Sequence, residues 1–88
     1  MNDHQKQLKD LVARVAQMNG VKPKELTGNI SYYPIEDTWG VSVGLFFIEN
    51  DQYITTPEFL VEMIDHSLET CFSKINGELD KLLAATSN

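Results

Sequence analysis

Residues 39–48 read Trp39-Gly40-Val41-Ser42-Val43-Gly44-Leu45-Phe46-Phe47-Ile48, and this stretch decides the fold. It is rich in β-branched and aromatic residues, which favour strands. Successive side chains of a strand point to opposite faces of a sheet. The odd-numbered residues are all apolar and predict one continuous core face, formed by Trp39, Val41, Val43, Leu45 and Phe47. The sequence therefore predicts a central strand here.

The rest of the chain is short and ordinary in composition. Its 88 residues predict a single domain, residues 1–88, and 42% of them are apolar and 23% charged, as in typical globular proteins. No apolar run reaches the length of about 18 residues that a membrane span needs. The polar first residues do not resemble a secretory signal. We therefore expect a cytoplasmic protein that does not bind membranes.

Charge is unevenly distributed along the chain. Residues 29–70 contain eight acidic side chains and neither lysine nor arginine, and the net charge of the whole chain is −6. Binding to phosphates requires clustered lysine and arginine. The sequence therefore predicts no direct binding to nucleic acid.

The first 35 residues predict a helix, a short connector and a strand. Apolar residues recur at helical spacing from about residue 3 to 19, and Asn19-Gly20 is a typical helix end. Pro23 suits the first turn of a short helix. Residues 30–35 predict a strand at the edge of the sheet, because Pro34 cannot donate a hydrogen bond to a neighbouring strand.

The spacing around Gly20 also resembles a helix-turn-helix, in which Lys22 and Lys24 would contact DNA. A helix that starts near Pro23 would reach Gly28 after about one and a half turns, which is too short to fill a major groove. A DNA-binding regulator is therefore only a minor alternative.

A hairpin is predicted after the central strand, since both residues of Asn50-Asp51 tolerate positive φ angles. A two-residue turn there places Ile48 opposite Tyr53 and collects Phe46, Ile48 and Tyr53 on the second face of the sheet. Large exposed apolar patches usually mark interfaces. These three residues are therefore candidate interface residues, and we expect a homodimer.

Thr56-Pro57-Glu58 has the features of a helix start, namely a capping threonine, a proline in the first turn and an acidic residue near the positive end of the helix dipole. Apolar residues at helical spacing predict a long helix from there to about Leu83. Gly77 is a point where this helix could end or bend.

On such a helix, four acidic residues would share one ridge opposite the apolar side: Glu58, Glu62, Asp65 and Glu69. This ridge is the candidate partner-binding site, and it would suit a basic partner such as a nucleic-acid-binding protein. The alternative interpretation is a solvated face that keeps a small protein soluble.

No catalytic, cofactor-binding or metal site is predicted. His66 and Glu62 lie one helical turn apart, but two ligands make an incomplete metal site. Cys71, the single cysteine, falls on the apolar side of the helix and is predicted to be a core residue and not a nucleophile. No phosphate loop or nucleophile motif occurs. We therefore expect no enzymatic activity, and a small enzyme stays a minor alternative.

These elements predict an α+β fold: a helix, a three-stranded antiparallel meander and a long C-terminal helix, with both helices on one face of the sheet. The leading interpretation of function is a non-enzymatic protein-binding module of the inhibitor, adaptor or chaperone type. It would present the acidic helix ridge and the aromatic sheet face to a protein partner. The alternative is a structural or assembly subunit that associates with copies of itself.

Overall fold

The chain forms two helices separated by three strands. The computed structural model describes residues 3–86, except for the side chains of residues 46–49, 53–59 and 85–86. The elements in order are helix α1 (Asp3–Asn19), a one-turn 3-10 helix (Pro23–Glu25), strand β1 (Leu26–Tyr33), strand β2 (Thr38–Glu49), strand β3 (Gln52–Asp65) and helix α2 (Leu68–Thr86). This order confirms the predicted α+β fold.

The sheet is an antiparallel meander in the order β1-β2-β3, so β2 is the central strand as predicted. Its hairpin to β3 turns through Asn50 and Asp51, whose φ angles of 51° and 63° both lie in the left-handed region. Such a two-residue turn matches the twist of the paired strands. The predicted pairing of Ile48 with Tyr53 is confirmed.

Both helices pack on the face of the sheet that carries Val41 and Val43, which are fully buried. The other large buried residues of this core are Leu26 from β1, Leu11 and Val15 from α1, and Cys71, Phe72, Ile75 and Leu79 from α2. Burying an aliphatic or aromatic side chain of this kind stabilises a fold by about 1.5–3 kcal/mol. The predicted location of the core on the odd-numbered face of β2 is therefore confirmed at Val41 and Val43.

The core does not extend along the whole of β2. Leu45 was predicted to be buried, but 37% of its surface is exposed, and the side chain of Phe47 lies outside the described residues. The pairing of β2 with β3 shifts register on both sides of Gly44. Twelve residues make β2 about 40 Å long, whereas the nineteen residues of α2 span about 28 Å. The strand is thus longer than either helix, and its far end leaves the core.

The predicted helix from residue 56 to 83 is wrong in its first part, because residues 56–65 belong to β3. These residues pair with β2 from Trp39 to Gly44, and this non-local pairing outweighs the local helix signal. The register passes over Pro57 between Thr55 and Phe59. Proline is compatible with an edge strand at such an irregularity, since it has no N–H to donate.

Helix α2 begins at Leu68 and is capped by Ser67. The Oγ of Ser67 accepts a hydrogen bond from the backbone N–H of Thr70 at 3.1 Å, and the carbonyl of Ser67 accepts one from Cys71 at 3.0 Å. The helix continues through Gly77 to Thr86 without a break. The C-terminal helix is therefore confirmed with a later start.

Strand β1 begins at Leu26, four residues before the predicted start, and Gly28 lies inside it. An added methyl group at Gly28 would lie 2.7 Å from a Val12 side-chain carbon and 3.0 Å from one of Leu8. Glycine in a strand often marks such a close approach of another element. Here it lets α1 pack directly against β1, and the strand occupies the place where a DNA-reading helix would have to lie.

Candidate functional site

The sheet has a second face, opposite the one that packs on the helices. Its described residues are Thr27, Asn29, Ser31 and Tyr33 on β1, Thr38, Gly40, Ser42 and Gly44 on β2, and Glu62 and Ile64 on β3. We call this surface the open face. Two of its large residues are well exposed, Tyr33 at 43% and Ile64 at 48%. The open face is therefore a surface of small and polar side chains with an apolar end.

The apolar end forms where Tyr33 and Ile64 meet above the central strand. An added methyl group at Gly40 would lie 3.1 Å from Cε2 of Tyr33 and 3.6 Å from Cγ1 of Ile64. Any side chain at Gly40 would therefore push against the tyrosine ring. The glycine allows residues from both edge strands to lie close together across β2.

A cavity of about 270 Å³ opens beside this contact, and we call it the turn pocket. Its lining residues are Tyr33, Ile35, Glu36, Thr38 and Ile64. Ile35 is 99% exposed, which is unusual for a large aliphatic residue at the tip of a turn. The turn pocket thus combines an aromatic ring, two isoleucines, a carboxylate and a hydroxyl.

The turn that carries Ile35 and Glu36 is held in place by hydrogen bonds. The backbone N–H of Asp37 donates to the carbonyl of Pro34 at 3.3 Å, and Asp37 has a left-handed φ of 52°. The hydroxyl of Tyr32 donates to Oδ1 of Asp37 at 2.8 Å. The hydrogen bond to this carboxylate is the main reason that the pKa of Tyr32 is raised. The wall of the pocket is therefore ordered before any partner binds.

Thr38 lines the turn pocket and has an unusual environment. The residue is only 7% exposed, and among the described residues its Oγ1 finds no hydrogen-bond partner. An unsatisfied buried hydroxyl costs about 1–3 kcal/mol of stability. Such groups in native proteins call for an explanation, and one explanation is a binding site.

The predicted acidic ridge does not exist as a helix surface, because its residues lie on two different elements. Glu62 on β3 is exposed on the open face, opposite Ser42. Asp65 pairs with Trp39 and so lies on the helix-covered side of the same strand. Glu69 is exposed in the first turn of α2. A spacing of three residues keeps side chains together on a helix but separates them to opposite faces on a strand.

Asp65 is already occupied within the protein. Its Oδ2 accepts from Nζ of Lys74 on α2, and its Oδ1 accepts from the backbone N–H of His66 at 2.7 Å. The hydrogen bond from Lys74 is the main reason that the pKa of Asp65 is lowered. This carboxylate therefore ties the end of β3 to α2, and it is a poor candidate for contacting a partner.

The remaining predicted site residues have side chains outside the described residues. They are Glu58, and the interface candidates Phe46, Ile48 and Tyr53. The backbone pairs Ile48 directly with Tyr53, as the hairpin prediction requires. The apolar patch that they would form stays a prediction.

The two histidines line a different cavity of about 340 Å³, together with Trp39 and Glu69. The ring of His4 stacks on Phe72 with a centroid distance of 6.3 Å. Among the side chains that the structure describes, no three His, Cys, Asp or Glu residues group closely enough to hold a metal ion.

The prediction that Cys71 is a core residue is confirmed. Its side chain is fully buried, and Sγ donates to the carbonyl of Trp39 at 3.3 Å. Burial is the main reason that the pKa of this thiol is raised, so little reactive thiolate forms at neutral pH.

Comparison with protein-family models, with curated proteins and with solved structures found no match to this chain. No helix within residues 3–86 is both long enough and apolar enough to cross a membrane. The open face and the turn pocket are therefore the features on which a proposal of function has to rest.

None of the residues that line the turn pocket was predicted to be a site residue. The sequence features that bear on the pocket are Ile35, which follows Pro34 in a turn, and Gly40 in the central strand, where glycine often marks a close approach of another group. Neither Ile35 nor Gly40 could be grouped with Ile64 in one site, because the sequence pattern assigns Ile64 to a helix and not to the strand beside β2.

Proposed function

We propose that this chain is a non-enzymatic protein-binding module whose docking surface is the open face of the sheet. The observation that carries the proposal is the cluster of exposed large residues around the turn pocket: Tyr33, Ile35 and Ile64 are 43%, 99% and 48% exposed. Exposed tyrosine is a preferred anchor in protein interfaces, and grouped apolar residues on a surface usually mark an interaction site.

The middle of the open face supports docking of a polypeptide. In the middle of β2, among the side chains that the structure describes, it presents the small residues Gly40, Ser42 and Gly44, so the centre of the sheet is shallow between the larger residues of the two edge strands. Small residues let a partner backbone or side chain approach the sheet closely.

Charge indicates a basic partner. Residues 29–70, which include β2, β3 and the turn pocket, contain eight acidic residues and no lysine or arginine. Glu62 lies on the open face, and Glu36 lines the turn pocket. Complementary charge accelerates association, and this effect decreases as salt screens the charges.

The test compares capture of binding proteins by three forms of the chain. Ser42→Arg places a long cationic side chain in the middle of the open face. Ser73→Arg introduces the same side chain at an exposed position of α2 and serves as the matched control. We expect proteins recovered from lysate of the native host by wild type and S73R to be lost with S42R, by about tenfold or more, as for the loss of a central interface contact. The same proteins recovered equally by all three forms would contradict docking on the open face.

A self-associating assembly subunit is the second candidate function. The observation that favours it is the position of β3, a fourteen-residue strand at the edge of the sheet. An edge strand presents backbone N–H and C=O groups with which another chain can pair. Light scattering on a sizing column should then show a dimer at micromolar concentration. A monomer at about 100 µM, well above ordinary micromolar dissociation constants, would rule out this candidate.

A further inference from the structure

We propose that the turn pocket binds a single arginine side chain of the protein partner. This inference rests on the proposed function, and it specifies the chemical group that the open face recognises at its apolar end.

The apolar lining suits the long stem of a basic side chain. Ile35 and Ile64 offer aliphatic surface, and the Tyr33 ring lies beside Ile64 above Gly40. Arginine and lysine bury their methylene groups against such surface while the charged head stays near solvent. An arginine guanidinium also stacks on aromatic faces, which adds an attraction between the cation and the ring.

The charge of the pocket favours a cation. Among the described residues that line it, Glu36 is the single charged one. The ion pairs in the described part of the chain join Arg14 to Asp80, Lys74 to Asp65 and Lys81 to Glu78, and Glu36 takes part in none of them. A guanidinium pairs with a carboxylate through two parallel hydrogen bonds. Glu36 is therefore an acceptor that a partner can use without breaking an internal contact.

Thr38 gives an independent reason to place a hydrogen-bond donor in the pocket. It is more than nine-tenths buried, it lines the cavity, and among the described residues its Oγ1 has no partner. Arginine carries five N–H donors in a planar fork and has no acceptor. One guanidinium can therefore donate to the carboxylate of Glu36 and also to the hydroxyl of Thr38.

The pocket favours arginine over lysine because its two acceptors are on different residues and its wall is aromatic. Lysine concentrates its charge in a compact, strongly hydrated ammonium, whereas the guanidinium is flat and less strongly hydrated. The ordered turn keeps the acceptors in position, since the Tyr32 hydroxyl and the Pro34 carbonyl both hold Asp37, the residue next to Glu36.

The experiment uses the full chain and three short peptides: acetyl-Gly-Gly-Arg-Gly-Gly-amide and the same peptide with lysine or with citrulline at the centre. Citrulline has the shape of arginine but a neutral urea head. Binding is followed by the shifts of backbone amide signals in ¹⁵N-labelled protein, with peptide added up to about 10 mM to cover millimolar dissociation constants. We expect saturable shifts at Tyr33, at residues 35–38 and at Ile64 with the arginine peptide, and about tenfold weaker binding of the other two.

Three variants locate the binding. Glu36→Gln should weaken the arginine peptide by about tenfold, and Thr38→Val by about threefold to tenfold, as for the loss of a charged and a neutral hydrogen bond. Glu69→Gln is the matched control, since it removes one negative charge at an exposed position of α2, outside both the open face and the pocket. We expect its affinity to stay within about twofold of wild type, because a screened surface charge contributes little. Thermal unfolding of each variant checks that the fold is intact.

Several outcomes would overturn the proposal. They are no saturable shift up to the highest concentration, equal binding of the lysine or citrulline peptide, or equal weakening by E36Q and E69Q. If the arginine peptide gives no saturable shift but S42R still abolishes the capture of partner proteins, the arginine pocket is refuted while docking on the open face stands. If the arginine peptide binds selectively but S42R does not change the capture, docking on the open face is refuted while the arginine pocket stands.

Discussion

Replacing Thr38 with valine is expected to stabilise the protein, although the change removes a polar group. Thr38 is 7% exposed, and its Oγ1 lacks a hydrogen-bond partner among the described residues. A buried hydroxyl without a partner costs about 1–3 kcal/mol, and replacing it by an apolar group of the same shape avoids that cost. Valine has nearly the same shape and an equal preference for strands. We therefore expect the free energy of unfolding to increase by about 1–2 kcal/mol.

Urea unfolding followed by the fluorescence of Trp39 measures this change. The midpoint should rise while the dependence on urea stays the same, because the surface exposed on unfolding is unchanged. In a domain of this size, 1 kcal/mol corresponds to an increase in Tm of about 4–8 °C. The matched control is Thr70→Val, since Oγ1 of Thr70 lies 2.7 Å from Oγ of Ser67 and its hydrogen bond is already formed. That control should lose about 0.5–1.5 kcal/mol.

A T38V variant that is less stable than wild type by about 1 kcal/mol or more would refute the reasoning. Such a loss is the size expected when a formed hydrogen bond is broken, so it would show that Oγ1 has a partner in the folded protein. The hydroxyl would then be unavailable to a ligand. The unfolding experiment therefore also tests one premise of the arginine pocket without using any peptide.

Replacing Gly28 or Gly77 with alanine should change the free energy of unfolding, measured in urea, in opposite directions. Gly28→Ala places a methyl group 2.7 Å from a side chain of α1 and should cost about 1–3 kcal/mol, whereas Gly77→Ala meets nothing within 4 Å in α2 and should gain about 0.5–1 kcal/mol. Effects of the same sign would contradict the described packing. The buried thiol of Cys71 should react slowly with thiol reagents in the native protein and rapidly in urea, so rapid native labelling would show that it is accessible. Because the pKa of Asp65 is lowered in the folded protein, its ionised carboxylate stabilises the fold at pH values above the unfolded pKa of about 4. This stabilisation is lost as the pH falls from the unfolded pKa through the folded pKa. Asp65→Asn should therefore lose less stability than wild type between pH 7 and about pH 3, and an equal loss would mean that the ion pair contributes nothing.

Features that depend on a few neighbouring residues could be predicted from the sequence. The end of α1 at Asn19 follows from Gly20, whose φ is +67°, and the β2–β3 turn follows from Asn50 and Asp51. In each case the backbone needs a left-handed conformation that few residues adopt easily. Alternation along β2 was sufficient to place Val41 and Val43 in the core, because one face of that strand is apolar without interruption.

The boundary between β3 and α2 could not be predicted in the same way. Thr56-Pro57-Glu58 is a good local helix start, and Leu60, Ile64 and Leu68 recur at helical spacing. Residues 61–65 are nevertheless a strand, because they complete the sheet beside β2 and place Val61 and Met63 against the core. Pairing with a strand twenty residues away is a tertiary effect, and a local pattern does not contain it.

The candidate site depended on that boundary. Tyr33, Thr38 and Ile64 come from three different strands, and only the sheet register brings them to one pocket. Assigning residues 56–65 to a helix places Ile64 on the apolar side of that helix and places the acidic residues on one ridge. Side chains on one face recur every 3.6 residues in a helix but every 2 residues in a strand. Assigning this segment to a strand therefore moves these side chains to different faces.

Charge favours a basic partner over a second copy as the occupant of this surface. Strand β3 contains three acidic residues and no basic one, and the whole chain has a net charge of −6. Two copies that paired along β3, or that packed their open faces together, would bring these acidic groups near each other with no lysine or arginine from residues 29–70 to neutralise them. Like charges across paired strands are destabilising. A basic partner meets the same carboxylates with a favourable sign, and Glu36, which forms no ion pair within the described part of the chain, can then form one without losing an internal contact.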